Sequence, residues 1–129
     1  MGQQQLLIII LGVIMVAIAI VVGITIFGSS SVASNKDALV NDLNNLGVDA
    51  YRYRSLPGTL GGGGRSYVGY AVPLKLRTNE NGSFTPTTAV STANTITFVA
   101  TSSLGYGTVT AVLDQSGKLA TFTYTGDFL

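Results

Sequence analysis

Side chains that could carry out chemistry are sparse in this chain of 129 residues. It contains no His and no Cys, so it lacks the commonest general base, a thiolate nucleophile and the metal ligands that offer nitrogen or sulfur. A hydrolase would then need a Ser–Lys pair or two carboxylates at a telling spacing, and the six Asp and Glu residues form no such pair. We therefore expect no enzyme, no cofactor and no bound metal.

Three short motifs have both a chemical and a structural interpretation. Asp114-Gln115-Ser116-Gly117 could offer oxygens to calcium, but its residue types favour a turn with Gly at a positive φ. The run Gly61 to Gly64 could cradle a phosphate, yet no Lys-Ser/Thr continuation and no helix pattern follow it, which favours a mobile or tightly turning connection. Asn81-Gly82-Ser83 fits the N-glycosylation sequon and equally a hairpin turn, which is the preferred interpretation.

The most informative element is the apolar run from Leu6 to Phe27. It carries no charge, and the first charged side chain of the chain is Lys36. As a helix the run spans roughly 33 Å, about the thickness of a bilayer's hydrocarbon core. Its sixteen Ile, Leu, Val and Phe residues favour membrane insertion by roughly 5–10 kcal/mol. In lipid this segment must be helical, because a lone strand would leave its backbone amides unpaired.

Four interpretations of this segment compete. A signal peptide is disfavoured by the missing basic n-region and the long apolar core, although Ser31-Val32-Ala33 would pass as a cleavage site. A buried helix of a soluble protein would need cover on every side, which a domain of about 100 residues cannot supply. A single-pass anchor remains open. An assembly helix that packs against its own copies is favoured by the residues that follow.

The helix pattern resumes after Gly28 and the run Ser29 to Ser31. Apolar residues at alternating spacings of four and three form a stripe on one helical face: Leu39, Leu43, Leu46, Ala50 and Tyr53. Ser34 and Asp37 resemble a capping box that would start a new helix, or Ser34 lies inside a continuous one. Leu56-Pro57-Gly58 should end the helix.

From Tyr67 onward the pattern changes to β. Strands are predicted over residues 67–74, 95–101, 107–113 and 118–125, with turns at Asn81-Gly82 and at Asp114 to Gly117. The predicted fold class is α+β, in which a long N-terminal helix packs its amphipathic second half on a small C-terminal antiparallel sheet of about four strands. The domains are a helix over 1–54 (1–27 apolar, 32–54 amphipathic), a Gly-rich loop over 55–66 and a β head over 67–129.

This organisation resembles that of type IV pilins. The resemblance rests on Met1-Gly2-Gln3-Gln4-Gln5 before the apolar run Leu6 to Leu11, and on small residues that interrupt the apolar helix. It covers residues 1–54 in pattern and the β half in architecture alone. Two features depart from the family: the chain has no Cys for the usual C-terminal disulfide loop, and Gln5 stands where most pilins carry a glutamate.

The resemblance implies a short basic leader removed by a prepilin peptidase, and N-methylation of the new first residue, here Met1. A removed leader would also explain why no Lys or Arg precedes Lys36, since the positive-inside rule needs positive charge on the cytoplasmic side. Gln5 would dock on the terminal amine of a neighbouring subunit by hydrogen bonds without an ion pair. The filament core would be packed by Leu6, Leu7, Ile10, Ile14, Ile18, Val21 and Ile24.

Pilin helices are often partly melted in fibres, and two outcomes stay open here: a local break or stretch at Gly23, Gly28, Ser29 and Ser30, or a continuous helix. Pilins are also glycosylated on Thr or Ser, so Thr87 and Thr88 are candidate sites beside Asn81. The alternative is that these threonines lie on the exposed face of the sheet.

We therefore expect a structural subunit that is stored in the inner membrane and then polymerises with its own copies into an extracellular filament, served by a pilus assembly machinery. The outputs that the resemblance implies are adhesion, motility, biofilm formation and DNA uptake. With a net charge of +1, the composition predicts no nucleic-acid-binding surface. The alternative function is that of a monomeric, single-pass membrane-anchored envelope protein whose β head binds a partner.

Overall fold

The computed structural model describes residues 2–86 and 94–129. In these residues two helices, α1 and α2, come before four strands, β1 to β4, in the chain. Two 3-10 turns lie at Gly58–Leu60 and Gly126–Phe128. The bounds of the main elements are α1 Gly2–Ser55, α2 Leu74–Arg77, β1 Gly82–Pro86, β2 Ile96–Ser102, β3 Thr108–Leu113 and β4 Leu119–Tyr124. The chain divides into two compact units, Met1–Ala33 and Ser34–Leu129, and we call the second the head unit.

Helix α1 ends where the sequence predicts. Pro57 cannot donate a backbone hydrogen bond and disfavours helical φ/ψ in the residue before it, so the helix stops at Ser55. Arg52 and Arg54 occupy the last turn, where positive charge complements the helix dipole. Ser34 lies inside α1 rather than at a helix start, because extending an existing helix avoids the cost of nucleating a new one.

The four strands form one antiparallel sheet in the order β1-β2-β3-β4, so each strand pairs with its neighbour in sequence. The predicted α+β class and the four-stranded antiparallel sheet are confirmed. The last three strands closely match the predicted segments. Asn79 to Gly82 form the predicted turn before β1, with the Asn79 amide donating to the Gly82 carbonyl at 2.9 Å.

The predicted first strand over residues 67–74 is wrong. That segment contains a turn at which the Tyr70 amide donates to the Tyr67 carbonyl, and Gly69 has a φ of 86°. Its buried side chains are Tyr67, Tyr70 and Val72, whose spacing of three and two is not the alternation of a strand. The first strand is instead β1, and the short helix α2 begins directly after Pro73.

The core of the head unit lies between α1 and one face of the sheet. The predicted helical stripe is confirmed: Leu39, Leu43, Leu46 and Ala50 are buried and Tyr53 is half-buried. The sheet contributes every second residue of β2 and β3, namely Ile96, Phe98, Ala100, Val109, Ala111 and Leu113. Burial of each large side chain contributes about 1.5–3 kcal/mol, so this stripe-on-sheet contact stabilises the unit.

A β-bulge in the edge strand β4 changes which side chains face the core. Thr121 has a φ of 54°, unusual for a β-branched residue, and the register shifts opposite Thr110 to Val112. Leu119 pairs with the buried Leu113, whereas Tyr124 pairs with the buried Val109. The inward positions therefore pass from an odd to an even residue across the bulge, which strict alternation does not predict.

Polar contacts fix α1 on the sheet. The buried Asn35 accepts a hydrogen bond from Ser102 Oγ at 2.7 Å and donates to the Asn81 carbonyl at 3.2 Å. Asp42 Oδ2 accepts from the side-chain amides of Asn79 and Asn81 at 2.8 Å each. Because buried polar groups are costly when unpaired, these bonds hold the helix in one register on the sheet.

The Gly-rich loop is a tightly turning cap on the end of α1. The amides of Gly63, Gly64 and Arg65 donate to the carbonyls of Tyr53, Leu56 and Arg54, with N···O distances of 2.7–2.9 Å. These bonds satisfy carbonyls that the end of a helix leaves free. A Cβ on Gly63 would meet the Ser66 carbonyl and the Tyr53 ring, so the loop needs Gly there for its close approach.

The cap gives the first prediction. We expect Gly63→Ala to lower the free energy of unfolding of the head unit by about 1–3 kcal/mol, because the added methyl would clash with the Ser66 carbonyl and the Tyr53 ring. Gly58→Ala is the matched control, since a Cβ there meets nothing within 4 Å. Urea unfolding followed by circular dichroism measures both. Equal stability of the two variants would contradict the cap.

Candidate functional site

The apolar segment Leu6 to Phe27 is exposed along its whole length, and we call it the apolar surface. Its seventeen large hydrophobic side chains, Met15 included, are each between 49% and 77% exposed. The whole segment is helical, and its hydrophobic residues lie all around the helix rather than on one face. A soluble monomer rarely exposes an apolar patch of more than a few hundred Å², so this surface needs cover that the described residues do not supply.

Within the described residues, α1 is the one helix that is long and apolar enough to cross a membrane by length and composition. Its backbone amides and carbonyls pair within the helix, as a hydrocarbon environment demands. The side chain of Thr25 satisfies the same demand, because its hydroxyl donates to the Val21 carbonyl at 2.9 Å. The segment can therefore lie in lipid or against other apolar helices without leaving a backbone group unpaired.

The residues predicted to pack a filament core all belong to this surface. Each of the seven is helical and exposed: Leu6, Leu7, Ile10, Ile14, Ile18, Val21 and Ile24. Gln5 is helical and exposed one residue before them, so its amide is free to meet another chain. Met1 lies outside the described residues. Gly23, Gly28, Ser29 and Ser30 are helical in this single chain, and a break on assembly stays a prediction.

The segment Asp114 to Gly117 forms the predicted turn. Asp114 Oδ1 accepts hydrogen bonds from the amide of Ser116, its hydroxyl and the amide of Lys118, at 2.6–2.9 Å. Gly117 has the positive φ, 84°, that the sequence predicts. The Ser116 hydroxyl bond, followed by the Lys118 amide, holds the pKa of Asp114 below its ordinary value. Among residues 2–86 and 94–129, no group of three or more Asp or Glu side chains could hold a metal.

The glycosylation candidates fall in two places. Asn81 is half-buried at the turn before β1, and its amide nitrogen donates to Asp42. N-glycosylation would attach the glycan to the same nitrogen that makes this hydrogen bond. Thr87 and Thr88 lie outside the described residues, so glycosylation of these threonines stays a prediction.

An aromatic cluster packs between helix and sheet near the end of α1. Tyr53 and Tyr70 have ring centroids 5.4 Å apart, and Tyr70 lies edge-on to Phe98 at 6.2 Å. The Tyr70 hydroxyl donates to Asp49 Oδ2 at 2.7 Å. Burial, reinforced by this carboxylate, raises the pKa of the Tyr70 phenol. The hydroxyl therefore stays protonated as a donor, which is a structural role. Its sequence signal was weak because Asp49 and Tyr70 belong to different segments of the chain.

The structure thus presents one continuous exposed apolar surface along residues 6–27. Comparison of the chain with protein-family models, with curated proteins and with solved structures finds no match. The function must then be argued from the apolar surface and from the head unit themselves.

The Asp114 turn gives a prediction of pH dependence. Because the pKa of Asp114 is lower in the folded state than its ordinary value of 3.8, its stabilising effect is present above that value and is lost as the pH falls through the folded pKa. We expect Asp114→Asn to be less stable than the wild type at pH 6 and the difference to shrink by pH 3. Urea unfolding in detergent at both pH values measures it.

The control is Gln115→Ala, in the same turn, whose exposed side chain does not titrate. Its stability relative to the wild type should not change with pH. If the difference between Asp114→Asn and the wild type stays constant from pH 6 to pH 3, the turn bonds do not depend on the charge of this carboxylate.

Proposed function

We propose that this protein is the structural subunit of an extracellular helical filament of the type IV pilus kind, in which the apolar surface of each copy packs against that of its neighbours. The observation that carries the proposal is the exposure of every large side chain from Leu6 to Phe27. Two environments can cover such a surface on all sides, a lipid bilayer and a bundle of identical helices. A filament subunit uses both, first as a stored membrane protein and then as part of a fibre core.

Transfer from lipid into a fibre is energetically feasible for this segment. A core of identical apolar helices is about as apolar as lipid, so the helix loses little hydrophobic stabilisation when it leaves the bilayer. Association must then come from close van der Waals packing and from polar groups at the helix ends. Gln3, Gln4 and Gln5 supply such groups without a charge to desolvate.

The apolar helix also carries a face on which another helix can approach closely. At about 100° per residue, Gly12, Ala19, Gly23 and Ser30 lie within an arc of about 40°. Small residues on one face let helix backbones approach and gain packing contacts that larger side chains prevent. An isolated anchor has no need of such a face. The arrangement therefore supports helix–helix packing rather than lipid contact alone.

The head unit supports the proposal because it builds its core from its own residues. Its core consists of residues between Leu39 and Phe128, and no residue of the apolar surface is buried with them. Assembly can thus engage residues 6–27 without unfolding the head. By the same resemblance, we propose storage in the inner membrane, processing by a prepilin peptidase, and roles for Met1 in N-methylation and Gln5 in docking.

The first test places a charge in the apolar surface. We expect Ile14→Lys to abolish filaments, because an ammonium among packed apolar helices has no partner and burial of an unpaired charge costs several kcal/mol. Insertion into the membrane should persist, since the remaining residues outweigh the ~2.5–3.5 kcal/mol cost of one Lys. Filaments sheared from cells are counted by electron microscopy, and the membrane fraction is assayed by immunoblot.

Asn44→Lys is the matched control, because it adds the same charge at an exposed position of α1 in the head unit. It should leave the filament count unchanged. A normal count for Ile14→Lys would overturn the proposed function. A wild-type chain that is found in the membrane and never in filaments would favour the alternative of a monomeric anchored protein.

A second substitution separates packing from hydrophobicity. We expect Gly23→Leu to reduce filaments about tenfold or more while the chain stays in the membrane, because the larger side chain keeps helices apart without adding polarity. Ile24→Leu is its control, since it conserves volume at the next residue. Filament yield by sedimentation is compared with the amount in the membrane fraction. Equal yields for the two variants would show that this face is not a packing face.

A further inference from the structure

The positive charges of the head unit are concentrated in one stretch of the chain, which begins in the last turn of α1. Five of the seven Lys and Arg residues of the chain lie between residues 52 and 77, and no Asp or Glu occurs from residue 50 to residue 79. We call this group the basic end, and its members are Arg52, Arg54, Arg65, Lys75 and Arg77. With Asp49 included, its net charge is +4.

Backbone and side-chain contacts bring the basic end together in space. The Arg65 amide donates to the Arg54 carbonyl at 2.7 Å, which places the Gly-rich loop on the last turn of α1. Arg52 lines a groove with Ala71 and Pro73, just before α2. Arg77 Nε donates to the Val72 carbonyl at 3.0 Å and so lies beside the same groove.

Four of these five charges face solvent. Arg52, Arg65, Lys75 and Arg77 are exposed, and the half-buried Arg54 lies over the Tyr67 ring at 5.5 Å. The carboxylate of Asp49 is engaged by the Tyr70 hydroxyl. The basic end is therefore a surface of positive charge that the described contacts leave available for a partner.

Carboxylates gather near residues 35 to 42 of α1, in what we call the acidic end: Asp37, Asp42, Glu80 and Asp127. The turn with Glu80 is held there by the bonds of Asn79 and Asn81 to Asp42. Asp127 is held there because Lys36 Nζ donates to the carbonyl of Phe128 at 3.4 Å. Lys36 also lies over the Tyr124 ring at 4.0 Å, and with its charge included the acidic end has a net charge of −3.

The two ends are closest where Arg77 and Glu80 stand three residues apart in the chain, whereas their outer charges are far apart. Asp37 and Arg54 lie on one helix and are separated by roughly 26 Å at the helical rise of about 1.5 Å per residue. The Debye length at physiological ionic strength is about 8 Å, so the attraction between these outer charges of one head is largely screened. Each end is left with a net charge that a closely apposed surface could meet.

We propose that the basic end of one head docks on the acidic end of the next copy in the filament. This contact joins two different surfaces of the same chain, and a heterologous contact that does not close into a ring repeats into an open helical polymer. The inference rests on the proposed function, because it is the packing of apolar helices that holds neighbouring heads side by side.

Exposed leucines favour a second copy over a polyanion as the occupant. Leu60 and Leu74, on the basic end, are 70% and 80% exposed, and Leu104, next to the Ser103 that binds the Glu80 carbonyl, is 61% exposed. A protein surface covers such side chains when two heads meet, whereas a phosphate or sulfate chain would satisfy only the positive charges. Opposite charges of similar size on one chain also match each other in a polymer of identical subunits.

Charge reversal at each end tests the contact in the full chain. The basic-end variant carries Arg52→Glu, Arg65→Glu and Lys75→Glu, and the acidic-end variant carries Asp37→Lys, Glu80→Lys and Asp127→Lys. All six side chains are exposed, so circular dichroism should show folded heads. When expressed alone, each variant has two ends of like charge. We expect the amount of pelleted filament to fall at least about tenfold relative to the wild type.

Co-expression of the two variants is the decisive arm. Each end of one variant is then opposite in charge to the facing end of the other, so mixed filaments should recover and contain both chains by mass spectrometry. Lys118→Glu is the control, because it reverses an exposed charge at the β3–β4 turn, outside both ends, and should assemble normally. Raising the salt concentration should weaken wild-type and mixed filaments alike.

The outcomes separate this inference from the proposed function. If each variant assembles as well as the wild type, the head contact is wrong and the filament proposal stands. If both variants fail and their mixture also fails although their heads are folded, the complementarity of these two ends is equally refuted. If the wild-type chain forms no filament under any condition, the proposed function fails and the head contact fails with it.

Discussion

The constraint on which the rest of this molecule depends is the cost of exposing residues 6–27 to water. Their large side chains find no cover among residues 2–86 and 94–129, and the head unit builds its core from other residues. A helix that is apolar all round must be surrounded by lipid or by other helices. This one segment therefore constrains what can surround the chain.

The head unit is subject to a different constraint, because its amphipathic helix must be held on a small sheet without disulfides. Apolar burial of the Leu39 to Ala50 stripe supplies the stabilisation, and polar contacts supply the register. Asn35 binds Ser102, and Asp42 binds the turn before β1, so each carries a side-chain bond from the helix to the sheet region. These bonds also place Glu80 near the first turns of the head helix. Structural hydrogen bonds thereby determine where surface charge accumulates.

In the proposed filament, the apolar helix and the head unit have different roles. Packing between the apolar helices depends on close van der Waals contact along the face that carries Gly12, Ala19 and Gly23. Charge complementarity between heads contributes less affinity but fixes orientation and excludes wrong pairings. A polymer of this chain would draw its cohesion from the helix and its geometry from the heads.

The sequence by itself determined the features that depend on local patterns. The uncharged run from Leu6 to Phe27 is long enough to span a bilayer, and the spacing of Leu39, Leu43, Leu46 and Ala50 identified the buried helical face correctly. The turns at Asn81 and Gly117 followed from residue types that tolerate tight backbone conformations.

Only the tertiary structure decided the features that depend on long-range contacts. Residues 67–73 have strand-like composition, yet they pack Tyr67 and Tyr70 against the end of α1 instead of pairing with a neighbour. The bulge at Thr121 and the cap made by the Gly-rich loop likewise follow from the strand or helix end that each contacts. The absence of acidic residues from 50 to 79 is visible in the sequence. The gathering of those positive charges at one end of the head is a consequence of the fold, since contacts between separate segments of the chain bring them together.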